Sequence, residues 1–338
     1  MPAAAARKSS RSRRERRREG LRALMERSMR RFALAIAGLL LALPVSGSAP
    51  SPARADTPPV PLLWKVSDGD NSVYLLGSFH LLRKSDYPLS ADIDRAFDDA
   101  EALVFEIAPE DLDDPAIGTQ MVRLATSDPA STVGQVLPIE VREPLQRQAR
   151  RLGVAAEQLD DFEPWFVDTT LVTLLAQRNG FAPEDGLDRH LMARASAAGK
   201  PASGLETVDQ QLTTLDGMPM DEQISTLREF IEEGDGAVAR LEELHGAWRR
   251  GDVPLLERLT REDMLERTPV TYRRLNVDRN RAWIPRFEAM LAKPAGNDVL
   301  AVVGALHLLG DDGVVAMLKA RGYRVERICT ACEGRPTR

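Results

Sequence analysis

Tyr74-Leu75-Leu76-Gly77-Ser78-Phe79-His80-Leu81-Leu82, set beside Ala301-Val302-Val303-Gly304-Ala305-Leu306-His307-Leu308-Leu309, decides how this chain is read. Each stretch is an apolar run, a glycine, two residues, a histidine and a Leu-Leu pair, and the two align without a gap. An apolar run of this kind reads as a strand that carries the chain through a core to its C-terminal edge. Glycine permits a sharp turn or a close backbone approach there. Three residues on, the histidine stands over the edge of the sheet, where open α/β sheets bind ligands. The chain has only 4 histidines, and chance poorly reproduces one pattern around two of them. His80 and His307 are therefore read as functional, and His190 and His245 as ordinary structural histidines. The echo suggests duplicated halves, or two strands doing one job; no other repeat is visible.

Outward from these stretches, residues 62–66 and 73–76 predict two strands around a turn at 67–71, a hairpin. Ser90 is a candidate N-cap for a helix over ADIDRAFDDA, whose apolar positions recur at helical spacing. Residues 103–107 read as a buried strand containing Glu106. A helical region follows from about 111 to 198, in stretches closed by glycines. Residues 200–205 form a short strand candidate ending at Glu206. Helices are expected over 220–233, 236–250 and 279–292, then a strand at 298–303, a helix at 311–320 and a strand at 323–328. Strands thus gather at the two ends and helices fill the middle. The predicted fold is α/β: a central mixed sheet built from two pseudo-repeated ends, flanked by helices, with a large helical insertion.

Residues 1–55 stand outside that fold. Arg30 and Arg31 precede an apolar run of about 14 residues from Phe32, short of the roughly 20 of a membrane span. The run ends in small residues and Ala53-Arg54-Ala55, so a Sec-type signal peptide cleaved before Asp56 is expected, with Met29 as the true start. The arginine-rich block over 1–28 then reads as an extended n-region, or as residues ahead of a start codon called too early, rather than a nucleic-acid arm. Residues 1–55 hold 13 Lys/Arg against 3 Asp/Glu, so their removal takes the net charge from −6 to −16. Such an acidic chain repels phosphate backbones, which argues against nucleic acid as a partner. The expected division is a basic extension and signal peptide over 1–55, an α/β domain over 56–330 and a tail over 331–338, secreted or periplasmic and without a stable membrane anchor. The sequence leaves oligomeric state open. Cys329 and Cys332 read as a local structural disulfide, with redox exchange the weaker alternative.

Two carboxylates occupy positions comparable to the histidines: Glu106 closes ALVFE and Glu206 closes KPASGLE. Burying such a group is costly unless it is paired or bound to a metal. Two imidazoles and a carboxylate make a sound donor set for zinc, manganese or iron. There is no H-E-x-x-H helix, G-x-S-x-G elbow or Walker-type loop.

Across nearly all of 62–328 the chain resembles the TraB/GumN family, which includes the animal TIKI proteases. The resemblance rests on YLLGSFHLL, ALVFEI, the EPW at 163–165, GLDRHL at 186–191, GKPASGLET at 199–207 and AWRRGD at 247–252. It continues through DRNRAWIPRFEAML at 278–291 and VVGALHLLGDDGVVAMLKARGYRVERI at 302–328. It implies a fold similar to the erythromycin esterase and ChaN proteins. It also implies a metal-dependent, peptidase-like site with two G-x-x-H motifs, a glutamate and an arginine, falling here on His80, His307, Glu106 and Arg279, then Glu206 and Asn280.

On that footing His80, Glu106 and His307 are expected to hold one divalent ion (Mn, Co or Zn) with a position open to water. Glu206 would be the general base, Arg279 would face the oxyanion, and Asn280 would orient substrate or a ligand side chain. The plainer alternatives are a surface ion pair for Arg279 and a helix cap for Glu206. Trp165, Trp248 and Trp283 read as core or groove lining, and Asp188 as able to approach the site. The expected function is an exported metal-dependent hydrolase acting on a peptide or small amide. The alternative is a non-catalytic peptide-, haem- or metal-binding protein that uses the same cleft.

Overall fold

The computed structural model describes residues 57–293 and 296–332. The basic extension and export signal expected over 1–55 lie outside the described residues, as does the tail beyond 332. β1 (Leu63–Ser67) and β2 (Ser72–Ser78) form the expected antiparallel hairpin. Its turn is closed by the Asp68 carboxylate, which accepts the backbone N–H groups of Asp70 and Asn71. β3 (Ala102–Ile107), β4 (Ala202–Glu206), β5 (Val299–Gly304) and β6 (Arg324–Arg327) complete a six-stranded sheet of order β4-β3-β5-β2-β1-β6. β4, β3, β5 and β2 run parallel; β1 runs antiparallel to them at one side, and β6 pairs antiparallel with β1 at the edge. β2 is buried at every position, as a strand covered on both faces should be.

The helices are α1 (Ala91–Asp99), α2 (Ala116–Ala125), α3 (Ile139–Arg151), α4 (Pro164–Arg178), α5 (Leu187–Ala198), α6 (Val208–Asp216), α7 (Met220–Glu233), α8 (Gly236–Arg250), α9 (Arg279–Leu291) and α10 (Val314–Ala320), joined by shorter helical turns. Alternation along the strands sorts the core. Leu300 and Val302 of β5 face a layer that includes Phe97 of α1, Leu191 of α5 and Trp248 of α8. Val299, Ala301 and Val303 face Trp283, Ile284 and Phe287 of α9 and Leu318 of α10. Each fully buried side chain of this size contributes about 1.5–3 kcal/mol. A third cluster, with Ile117, Leu145, Trp165, Leu171, Leu227 and Phe230, draws on α2, α3, α4 and α7 and contains no strand residue. The helical insertion therefore has a core of its own.

The expected helices over 220–233 and 236–250 are present at those bounds. The region from 111 to 198 is divided among several helices, three of which end just before Gly153, Gly180 and Gly199, as the glycine-closed stretches predicted. Ser90 occupies the N-cap of α1, but its hydroxyl makes no capping bond. The helix expected from 311 begins at Val314, after a turn in which Gly310 adopts φ 71°. Two π-helical segments, Arg258–Glu262 and Arg273–Asp278, interrupt the path into α9. Such segments often adjoin functional sites, and the second runs directly into Arg279 and Asn280. Cys329 and Cys332 are joined by a disulfide. Among the described residues no helix is long and apolar enough to cross a membrane.

Candidate functional site

Because β4, β3, β5 and β2 are parallel, their C-terminal ends lie on one edge, and each delivers a polar side chain there. β2 leads to His80, β3 carries Glu106, β4 ends in Glu206, and β5 ends in Gly304 and leads to His307. The register places Ser78 beside Gly304 and Ile107 beside Glu206. The first turn of α9 adds Arg279 and Asn280. All six residues expected from the sequence are thus brought together. A Cβ placed on Gly304 would stand 3.2 Å from Glu106 Oε1, 3.5 Å from His80 Nε2 and 3.6 Å from His307 Cδ2. Gly304 has an ordinary φ of −50°, so this position uses the missing side chain rather than backbone freedom.

The two histidines match in sequence and differ in setting. The His80 side chain is 63% exposed, and its Nδ1 lies 2.8 Å from Asp188 Oδ2. The Ser78 hydroxyl donates to the same carboxylate oxygen. Asp188 arrives on the first turn of α5, and that turn is pinned to the His80 loop. Leu187 N–H donates to Phe79 O at 3.2 Å. A Cβ on Gly186 would lie 2.2 Å from His80 O, so only glycine lets the two segments approach this closely. From the other side Trp248 Nε1 donates to Gly77 O at 2.9 Å, and Phe79 packs against Trp248 and His245. The charge of Asp188 raises the His80 pKa to about 9, against the opposing effect of desolvation. Solvent at the open face of the ring screens part of that attraction.

His307 is 5% exposed. Its Nδ1–H donates to Asn280 Oδ1 at 2.6 Å, and Nε2 accepts from Arg279 Nη1 at 3.1 Å, the tautomer that these partners require. Burial pushes the ring's pKa down to about 3, so His307 is neutral at ordinary pH. Trp283 packs on it with ring centres 4.5 Å apart.

Arg279 binds the cluster together. All five N–H groups of its guanidinium are engaged: Nε with Glu206, Nη1 with Leu275 O and His307, and Nη2 with Glu106 and Glu206. Burial alone would raise the Glu106 pKa, but nearby positive charge, foremost Arg279, holds it well below the usual carboxylate range. Gly304 N–H donates to Glu106 Oε1 at 2.7 Å, and Gln211 Nε2 reaches both Glu106 and Glu206 at 3.2 Å. Glu206 moves the other way: burial raises its pKa despite Arg279.

The plainer alternatives do not describe these residues. The Arg279 side chain is 12% exposed, which is no surface ion pair. Thr207, not Glu206, caps α6, in a capping box with Gln210. His245 is structural, buried and bonded to Asp86 at 2.9 Å, and His190 stacks on Tyr87 at 4.1 Å. Trp165, Trp248 and Trp283 are all core residues. Asp188 joins the site, and GLDRHL carried the one hint of it. Ser78 and Gln211 had no signal in the sequence, because a serine inside a strand and a glutamine on a helix have many ordinary uses.

Among the described residues no trio of His, Cys, Asp and Glu stands ready to hold a metal ion. His307 Nε2 is occupied by Arg279. The chemistry of the donor set nevertheless suits a divalent ion. Each histidine has Nδ1 fixed by an oxygen, the arrangement behind most metal-ligating imidazoles, and an ionised glutamate lies close to both rings. Accommodation requires the loss of the Arg279 Nη1 bond to His307, and a ligand role for Glu106 Oε1 beside the N–H it accepts from Gly304. The hold of Arg279 on both glutamates runs through Nε and Nη2 and would persist.

The family model described as the TraB/PrgY/gumN family matches residues 62–327. The uncharacterized protein YbaP of Escherichia coli (strain K12) is 25% identical over 260 residues, covering 76% of this chain and 92% of that protein. An uncharacterized protein of Treponema pallidum (strain Nichols) is 24% identical over 307 residues, covering 86% of this chain and 91% of its own length. No solved structure matches the chain.

Proposed function

The chain belongs to the TraB/PrgY/gumN family, and we propose that it is an exported, metal-dependent hydrolase of peptide or small amide bonds, with its reaction centre above Gly304. One observation carries this reading: His80 Nε2, Glu106 Oε1 and His307 Cδ2, the carbon bonded to Nε2, lie within 3.2–3.6 Å of a single point over that glycine, and His307 Nε2 is 3.8 Å from Glu106 Oε1. His80, Glu106 and His307 would hold the ion, with Mn, Co and Zn the candidates. When bound, it supplies Lewis-acid activation of water and of the scissile carbonyl.

The other residues act through position and charge. Asp188 orients His80 and Asn280 orients His307, each through Nδ1, which leaves Nε2 as the ligating nitrogen once His307 gives up its bond to Arg279. Arg279 holds two carboxylates within bonding distance of one cation, which relieves their mutual repulsion. Glu206, whose affinity for a proton is raised by burial, takes the proton from the attacking water as general base. Gly304 leaves room for the reacting group.

Engagement of all five Arg279 N–H groups favours one alternative, a cleft that binds peptide, haem or metal without turnover. A peptide library incubated with the purified chain and Mn²⁺, Co²⁺ or Zn²⁺ separates the two. Cleavage products that vanish in the His80→Ala, His307→Ala double variant support the hydrolase. Tight ligand binding with no product under any of these metals would replace it with the binding reading.

A further inference from the structure

Beside the reaction cluster, and sharing Glu206, Arg279 and Trp283 with it, lies a groove of about 650 Å³. Its charge is unlike that of the chain as a whole. Its charged lining is Arg274, Arg279 and Arg286 against Glu206 and Asp278, in a chain whose net charge is −6. Of the arginines lining the groove, Arg279 is spent on Glu106 and Glu206. Asp278 faces Arg281 at 3.7 Å. Among the described residues, Arg274 and Arg286 stand in no ion pair. The carboxylate whose field Arg274 feels, Glu222, already accepts the backbone N–H groups of Val270 and Thr271. Arg286 lends one N–H to the Leu205 carbonyl. The opposite wall, from α6, presents Gln210, Thr213 and Thr214.

Two guanidinium groups outside any ion pair, in a groove also lined by amide and hydroxyl groups, each offer a planar fork that can take a carboxylate in bidentate fashion. We propose that this groove is a carboxylate-binding subsite, which takes an acidic side chain or the free C-terminal carboxylate of a peptide. Its description as a substrate subsite rests on the hydrolase reading of the adjoining cluster. The subsite works at short range, because the acidic remainder of the chain repels anions at a distance.

Calorimetric titration of the full chain at low salt tests it, with a glutamate-containing peptide and its glutamine counterpart, each bearing a free or an amidated C-terminus. The charged peptides should bind about fivefold tighter per carboxylate recognised. Loss of the preference on amidation identifies the C-terminus as the source, and loss in the glutamine peptide identifies the side chain. Arg274→Gln with Arg286→Gln should abolish the preference, while Arg274→Lys with Arg286→Lys should keep part of it. If the double glutamine variant melts early, Arg274→Gln alone decides, and it should halve the preference or better. Equal binding of all four peptides, no binding of any, or a preference that survives in a folded double glutamine variant overturns the proposal. Hydrolysis is followed in parallel. Charge preference without turnover removes the hydrolase and leaves the subsite; turnover without charge preference does the reverse.

Discussion

Asp188 Oδ2 lies 2.8 Å from His80 Nδ1, so the exposed member of the histidine pair is held from behind by a carboxylate 108 residues away. His307 is held in the same sense by Asn280, from a different helix. The two imidazoles are thus both anchored through Nδ1, by independent means. Asp188→Asn should lower metal affinity and peptide hydrolysis by about 10–100-fold, the usual cost of losing such a supporting group. The melting temperature should barely change. Titration of Mn²⁺ beside a thermal melt checks this, and a variant with wild-type metal affinity would show that Asp188 does not position His80.

Two glycines at the site should respond differently to the same methyl group. Gly304→Ala introduces no backbone strain and sets its Cβ 3.2 Å from Glu106 Oε1 and 3.5 Å from His80 Nε2. It should fold normally, within about 1 kcal/mol, yet lose ligand and metal binding. In Gly186→Ala the Cβ meets His80 O at 2.2 Å, backbone that cannot swing aside. That variant should lose stability as well as function. Urea midpoints for the pair provide the comparison; equal midpoints would contradict the account.

Removal of Arg279 leaves Glu106 and Glu206 buried without their shared cation. Arg279→Met should cost about 3–5 kcal/mol in urea unfolding at neutral pH, the range for breaking a buried ionic cluster from one side. Arg279→Lys should recover only part, because an ammonium cannot reproduce the fork. A loss under 1 kcal/mol in Arg279→Met would mean that the cluster is better hydrated than its burial indicates.

The helical insertion should weaken as pH rises. Burial, then the neighbouring Glu229, raises the Asp168 pKa to about 7, and Asp168 Oδ1 has no hydrogen-bond partner. The folded pKa exceeds the unfolded value of 3.8, so the associated stability is complete below about pH 4 and lost as pH passes about 7. Asp168→Asn removes this slope. Its unfolding midpoint relative to the parent should therefore be more favourable at about pH 8 than at about pH 5. Glu163, also raised to about 7, remains, so some slope should persist. A difference that does not vary with pH would place Asp168 in contact with water.

Much of the sheet and the roster of the site were legible in the chain. Strands buried on both faces read as unbroken apolar runs, and SVYLLGS and VLAVVG are such runs. A carboxylate closing a strand is costly to bury alone, which singled out Glu106 and Glu206. Less legible was the insertion of β5 between β2 and β3, because strand order depends on which distant faces pack together. The π-helical approach to Arg279 was also hidden, since local propensity yields there to packing against the sheet.

The sequence alone settled which side chains the sheet edge would carry, since an apolar run followed by glycine and histidine specifies a strand, a turn and a ligand-bearing end within a few residues. Only the tertiary structure decided what each of those side chains meets. The exposure of His80 beside a buried His307, and the engagement of Arg279 with His307, Glu206 and Glu106, follow from contacts between residues 28 to 173 positions apart. Hydrogen bonds and charges act through distances in space of a few ångströms, and separation along a chain does not encode them.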